Sequence, residues 1–102
     1  MKKILLCCSA GMSTSMLVKK MRQEADARGL ECLIEARSVN VFEEMIQEFD
    51  VCLLGPQVRF QLDDLQDVAN QYNKKVAVIP SLAYGMMKGS EVLDQALSLI
   101  SD

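Results

Sequence analysis

Among the residues of this chain that can do chemistry, the segment Cys8-Ser9-Ala10-Gly11-Met12-Ser13-Thr14-Ser15 is the densest, with a thiol, four hydroxyls and a glycine in eight positions. A thiolate is a strong nucleophile, and hydroxyls with successive backbone N–H groups are the donors an anion requires. Gly11 permits a left-handed turn or a close backbone approach. The chemistry this pattern suits is capture of a phosphoryl group by Cys8. The 102 residues contain no histidine, which excludes Ser-His-Asp and Cys-His catalysis and leaves no phosphohistidine within the chain. The other cysteines, Cys7, Cys32 and Cys52, form no C-x-x-C pair and no metal-ligand spacing. They read as small buried hydrophobes, with neither a zinc site nor a disulfide framework.

The elements that must position Cys8 emerge from hydrophobic periodicity. Ile4–Cys7 is a continuous apolar run suited to a strand covered on both faces, and Leu17, Val18, Met21 and Ala25 recur at helical spacing before Gly29 stops the helix. A second strand fits Cys32–Ala36. Asn40 then serves as N-cap, with Glu43 at the capping-box position, for a helix carrying Phe42, Met45, Ile46 and Phe49. Val51–Leu54 repeats the buried-strand pattern and Val76–Ile79 reads as the last strand, the two separated by the helical stripe Val58, Leu62, Leu65, Ala69 and Tyr72. Ser90 is placed to cap a last helix with Val92, Leu93, Ala96, Leu97 and Ile100 on its inner face.

Alternating strands and helices predict one α/β domain over residues 1–102. The architecture is a doubly wound four-stranded parallel sheet, order 2-1-3-4, with helices on both faces. Ligands of such sheets bind beyond the carboxyl ends of the strands where the order reverses. Here that point selects two loops, Cys8–Ser15 and Gly55–Gln57. The start of the first helix adds unpaired N–H donors and the positive end of its dipole, which favours both an anion and the thiolate of Cys8.

The bulk composition removes several alternatives. Net charge is −3, and the eleven Lys and Arg are interleaved with acids, so no basic stripe invites nucleic acid. The apolar runs are too short to cross a bilayer and no signal-peptide pattern appears, so the expectation is a cytoplasmic protein without membrane insertion. Glu43–Glu44 and Asp63–Asp64 fall in the first turns of helices, where they complement the dipole rather than form an acid/base pair. Asp50 precedes the third strand instead of ending it, which argues against a phosphoaspartate. With two Tyr and no Trp, no cluster resembles a sugar-stacking site.

The cysteine segment, the Leu53-Leu54-Gly55-Pro56-Gln57 turn and Ser81-Leu82-Ala83-Tyr84-Gly85 together resemble the IIB proteins of the lactose/cellobiose (chitobiose) phosphotransferase family, over nearly the whole chain. The resemblance implies that Cys8 becomes a phosphocysteine, loaded from a phosphohistidine on a IIA protein. It would pass the group to a sugar of the β-glucoside/cellobiose, chitobiose or lactose class held by the membrane IIC permease during uptake. It further implies a phosphate-binding loop from Ser9 to Ser15, no metal or organic cofactor, and a chain that is monomeric when isolated. Gly55, Pro56, Gln57 and Tyr84 would meet phosphate or partner, and Met12, Met16, Met86 and Met87 could rim the site.

Two other classes compete. Low-molecular-weight tyrosine phosphatases have a similar fold and a Cys-x5-Arg-Ser/Thr signature, but Thr14 stands where their arginine would fall, and Ser81–Gly85 lacks the acid of their acidic loop. A thiol-redox module would need a resolving cysteine. Cys7, adjacent in sequence, points to the opposite face of a strand.

Overall fold

A computed structural model describes residues 1–8 and 11–100. The strands are β1 (Lys2–Cys8), β2 (Cys32–Ser38), β3 (Val51–Leu54) and β4 (Lys75–Val78). All pair in parallel in the order β2-β1-β3-β4, as expected. The helices are α1 (Gly11–Ala27), α2 (Phe42–Met45), α3 (Leu62–Asn70), α4 (Ser81–Gly85) and α5 (Gly89–Ile100).

The period-two alternation of β1 divides the core into two layers. Ile4 and Leu6 pack with Leu17, Val18 and Met21 of α1 and with Val92, Leu93 and Ala96 of α5. Leu5 and Cys7 face the other way, onto Phe42, Ile46, Val58 and Ala69. Each fully buried aliphatic or aromatic side chain stabilises the fold by about 1.5–3 kcal/mol relative to exposure. Gly89 lets α1 and α5 meet, since a Cβ there would lie 2.8 Å from the Lys20 carbonyl carbon.

Several boundaries differ from the sequence reading, among them that of the third helical stripe, where Pro56–Gln61 is 3-10 with Val58 non-helical and α3 spans only Leu62–Asn70. Helix α1 starts at Gly11, so residues 11–15 are its first turn and not a loop. Thr14 explains the shift: it is fully buried and extends the Leu17, Val18, Met21, Ala25 stripe one turn toward the N-terminus. The capping box at Asn40 and Glu43 is absent. Val39–Val41 forms a 3-10 turn capped by Ser38, whose Oγ accepts from Asn40 N at 3.2 Å. Helix α2 lasts four residues before Ile46–Glu48 tightens to 3-10 again. The β-branched Val39 and Val41 disfavour an α start, and Phe49 must already be extended to enter β3. Finally, α5 opens at Gly89, which puts Ser90 inside its first turn, while the unforeseen α4 occupies Ser81–Gly85.

Gly29 ends α1 as expected. It adopts φ +68°, with Gly29 N donating to Asp26 O and Leu30 N to Ala25 O, the Schellman pattern. The two outer strands are tied down by side chains. Gln66 accepts from Val76 N (2.9 Å) and donates to Lys74 O (3.1 Å), and Arg22 donates to Ile34 O on β2. Asp50 bridges the amino ends of β1 and β3 by accepting from Lys3 N while its own N–H donates to Lys3 O, both at 2.8 Å. That structural role, at the end of the sheet away from Cys8, leaves no place for a phosphoaspartate.

Candidate functional site

Cys8 is the last residue of β1, paired in register with Ser38 of β2. The β1–β3 ladder continues past Leu54, since Gly55 N donates to Cys7 O at 2.9 Å, and Ile79 N likewise donates to Leu54 O at 2.9 Å. The carboxyl ends of β1, β3 and β4 are therefore level. The crossovers leaving these three strands start side by side, at the point where the strand order reverses.

Gly55 has an extended backbone (φ −62°, ψ 149°), so conformational freedom is not why glycine stands there. A Cβ there would displace Gln57 Oε1, the end of a flexible side chain, and would sit at van der Waals distance, 3.4 Å, from the Cys8 Cβ. Pro56 opens the 3-10 turn Pro56–Gln61, and Val58 N donates to Gly55 O at 3.0 Å, which folds Gln57 back over the glycine.

Gln57 Nε2 donates to the Tyr84 hydroxyl at 2.9 Å, and that hydroxyl lies 3.1 Å from Thr14 Oγ1. Helix α4 holds Tyr84 in place: Tyr84 N donates to Pro80 O, and the helix closes on a second Schellman pattern, with Met87 at φ +54°. One hydrogen-bonded row thus joins the crossovers after β1, β3 and β4.

The structure brings together Cys8, Thr14, Gly55, Gln57 and Tyr84. Of the four residues expected to meet phosphate or partner, Gln57 is exposed, Pro56 half-buried, and Gly55 and Tyr84 buried. Tyr84 is only 9% exposed and so offers little contact surface. Ser15 is exposed on α1. The expectations placed on Ser9 and Ala10, and on the side chains of Met12 and Ser13, lie outside the described residues. Gly11 is the first residue of α1 rather than part of a turn of its own. Met16 and Met86 are exposed, whereas Met87 packs against the core.

None of the four cysteines is in a disulfide. Cys7, Cys8 and Cys52 are all fully buried, so exposure does not single out Cys8; its position does. Cys52 sits against Cys7 on the far face of the sheet, and burial, reinforced by that neighbour, pushes its thiol well above the ordinary value. A groove of about 400 Å³ lined by Pro80, Leu82, Ala83, Lys88, Glu91 and Gln95 involves α4 and α5 and is not lined by Cys8.

The sequence reading missed the inward role of Thr14 because a polar residue was not counted in the buried stripe. Its spacing three and four positions before Leu17 and Val18 carried the signal.

The chain is thus a doubly wound α/β protein with a cysteine at the carboxyl edge of a central strand, shortly before the helix that follows it. Within that class the chain belongs to the lactose/cellobiose-specific IIB family of the phosphotransferase system, whose family model matches residues 3–95. It is 48% identical over 100 residues to the oligo-β-mannoside-specific EIIB component of Bacillus subtilis, covering 98% of this chain and 97% of that one. It is 39% identical over 105 residues to the galactose-specific EIIB component of Lactococcus lactis, covering 98% and 97%. The solution structure of the cellobiose-specific IIB protein of Borrelia burgdorferi superimposes with a TM-score of 0.81 at 36% identity, over 97% of this chain and 91% of that one. As a IIB component, the protein is a phosphotransferase of sugar transport. Among the described residues, no helix is long and apolar enough to cross a membrane.

Proposed function

We propose that Cys8 is the residue that carries the phosphoryl group, accepting it from a phosphohistidine on a IIA protein and donating it to a sugar held by a membrane IIC permease. The observation that carries this reading is the convergence of Cys8, Thr14, Gly55, Gln57 and Tyr84 at the carboxyl edge of β1 and β3. In the first step the Cys8 thiolate attacks phosphorus in line. The S–P bond forms as the N–P bond breaks, and the imidazole nitrogen leaves with the electron pair. In the second step a sugar hydroxyl oxygen attacks, the S–P bond breaks and the thiolate is restored, the hydroxyl proton passing to a base on the acceptor side. The first-turn N–H groups of α1 stabilise the charge on the transferring group in both steps. Because Cys8 is buried in the isolated chain, docking of the donor must uncover it.

Residues 1–102 act as one domain in the cytoplasm, with the segment Ser9–Ser15, which runs into the first turn of α1, as the phosphate cradle. The acceptor belongs to the β-linked class that includes cellobiose, chitobiose and lactose, in keeping with the oligo-β-mannoside named for the relative at 48% identity. The sugar touches the permease and not this chain. Hydrolysis is disfavoured because no acid or base stands ready to orient water: the chain lacks histidine, Thr14 replaces a phosphatase arginine, and α4 contains no Asp or Glu. The test is intact mass after incubation with phosphoenolpyruvate and the general phosphotransferase proteins. The expected result is a gain of one phosphate only when the IIA protein is present. A purified chain that instead turns over aryl phosphates rapidly would make it a phosphatase.

A further inference from the structure

Beside Cys8, the place of a side chain on residue 55 is taken by a neighbour. Cys7 pairs with Leu54 and Gly55 N donates to Cys7 O, so Gly55 lies opposite Cys8, with both side-chain directions on the same face of the sheet. A Cβ on Gly55 would stand 3.4 Å from the Cys8 Cβ and 3.5 Å from Gln57 Cδ, and would displace Gln57 Oε1. The Gln57 carboxamide therefore fills the spot next to Cys8 that a larger residue 55 would occupy. Its other end is held from α4, where Nε2 donates to the Tyr84 hydroxyl at 2.9 Å.

A carboxamide has an acceptor at one end and two donors at the other. With Oε1 over Gly55, Gln57 turns its acceptor to the site; a half-turn brings Nε2 there and leaves Oε1 at Tyr84. The Tyr84 hydroxyl satisfies both orientations, since a phenol accepts from Nε2 or donates to Oε1. Thr14 Oγ1, 3.1 Å from that hydroxyl, is equally able to donate or to accept, so the bond between them adjusts to either state. Gln57 is exposed, and the turn displaces no core side chain.

We propose that Gln57 is a catalytic residue of phosphoryl transfer: its carboxamide turns over in the space left by Gly55 and donates Nε2 to an oxygen of the phosphoryl group on Cys8. Tyr84 is the positioning residue that holds either orientation. This rests on Cys8 being the phosphoryl carrier.

The test is kcat and KM for transfer from the phosphohistidine donor protein to the full chain, in Gln57→Ala, Gly55→Ala and the double variant. A hydrogen bond to a charged group is worth about 10- to 100-fold, so Gln57→Ala is expected to lower kcat by that factor with KM for the donor unchanged. Gly55→Ala, at a backbone (φ −62°) that accepts alanine, displaces the same amide and is expected to lose a similar factor. The double variant should lose no more than Gln57→Ala alone, because the added methyl then has no amide to displace. A readout independent of rate is the Gln57 side-chain NH2 resonance, identified by its loss in Gln57→Ala, which is expected to shift when Cys8 is phosphorylated. Multiplying losses in the double variant, a loss confined to KM, or an NH2 resonance indifferent to phosphorylation of Cys8 would overturn the role of Gln57 while leaving the carrier intact. A wild-type chain that takes no phosphate on Cys8 overturns both.

Discussion

Three of the four cysteines are fully buried, and what separates them is the face and the end of the sheet on which they lie. Cys7 and Cys52 share the α2/α3 face, while Cys8 ends β1, three residues before the start of α1 at Gly11. The Cys52 thiol is pushed up by burial and by Cys7, which has a consequence for stability. Above the ordinary thiol value of 9.0 the unfolded chain releases this proton while the folded chain keeps it. The Cys52 contribution is therefore complete below 9.0 and declines as pH rises above it, by at most about 1.4 kcal/mol per pH unit. Urea unfolding of the wild type and Cys52→Val across this range is expected to show the wild type losing stability faster. Parallel profiles would contradict the assigned shift. At this scale Cys8, Gly55, Gln57 and Tyr84 could be picked out of the sequence as residue types at the strand ends. Their mutual contacts could not, because sequence spacing does not say which side chains from separate crossovers meet.

At the scale of elements, the central strands β1 and β3 were the most legible because each carries a short apolar run buried on both faces, whereas the outer strands β2 and β4 are only partly buried. Helix boundaries were less so. Phe42, Ile46 and Phe49 are buried as their spacing requires, yet the backbone beneath them alternates between 3-10 and α, since both geometries keep i, i+3 and i+4 on one side. The start of the β4 edge is held from α3, where the Gln66 amide pairs with Val76 N and Lys74 O much as a neighbouring strand would, and its end from α5, where Gln95 Nε2 donates to Val78 O. Removing the Gln66 amide leaves two partly buried backbone groups without these partners. Gln66→Ala is expected to lower stability by about 1–2 kcal/mol, read as a lower urea midpoint at unchanged slope. Phosphate acceptance should be preserved, because Lys74 and Val76 lie at the start of β4, away from Cys8. An unshifted midpoint would show that Gln66 does not protect the edge.

At the scale of the whole molecule, a carrier must do two things that a hydrolase does not combine: shield its phosphoryl group from water, and surrender it to a specific acceptor. On the proposed reading the fold meets the first by placing the buried Cys8 thiol at the switch point of the sheet, with Thr14 where a phosphatase would keep an arginine. The same reading leaves the second to partner docking; Gln57, Met16 and Met86 are exposed. The topology was legible from the alternation of strand and helix, since right-handed crossovers leave few ways to arrange four parallel strands. The measurement that bears most directly on the account is intact mass and phosphate mapping after loading by the IIA protein, in the wild type and in Cys7→Ser, Cys8→Ser, Cys32→Ser and Cys52→Ser. The account predicts one phosphate on Cys8, retained at neutral pH until the acceptor permease is supplied, and acceptance lost in Cys8→Ser alone. Normal loading of Cys8→Ser, or phosphate mapped to any other residue, would contradict it.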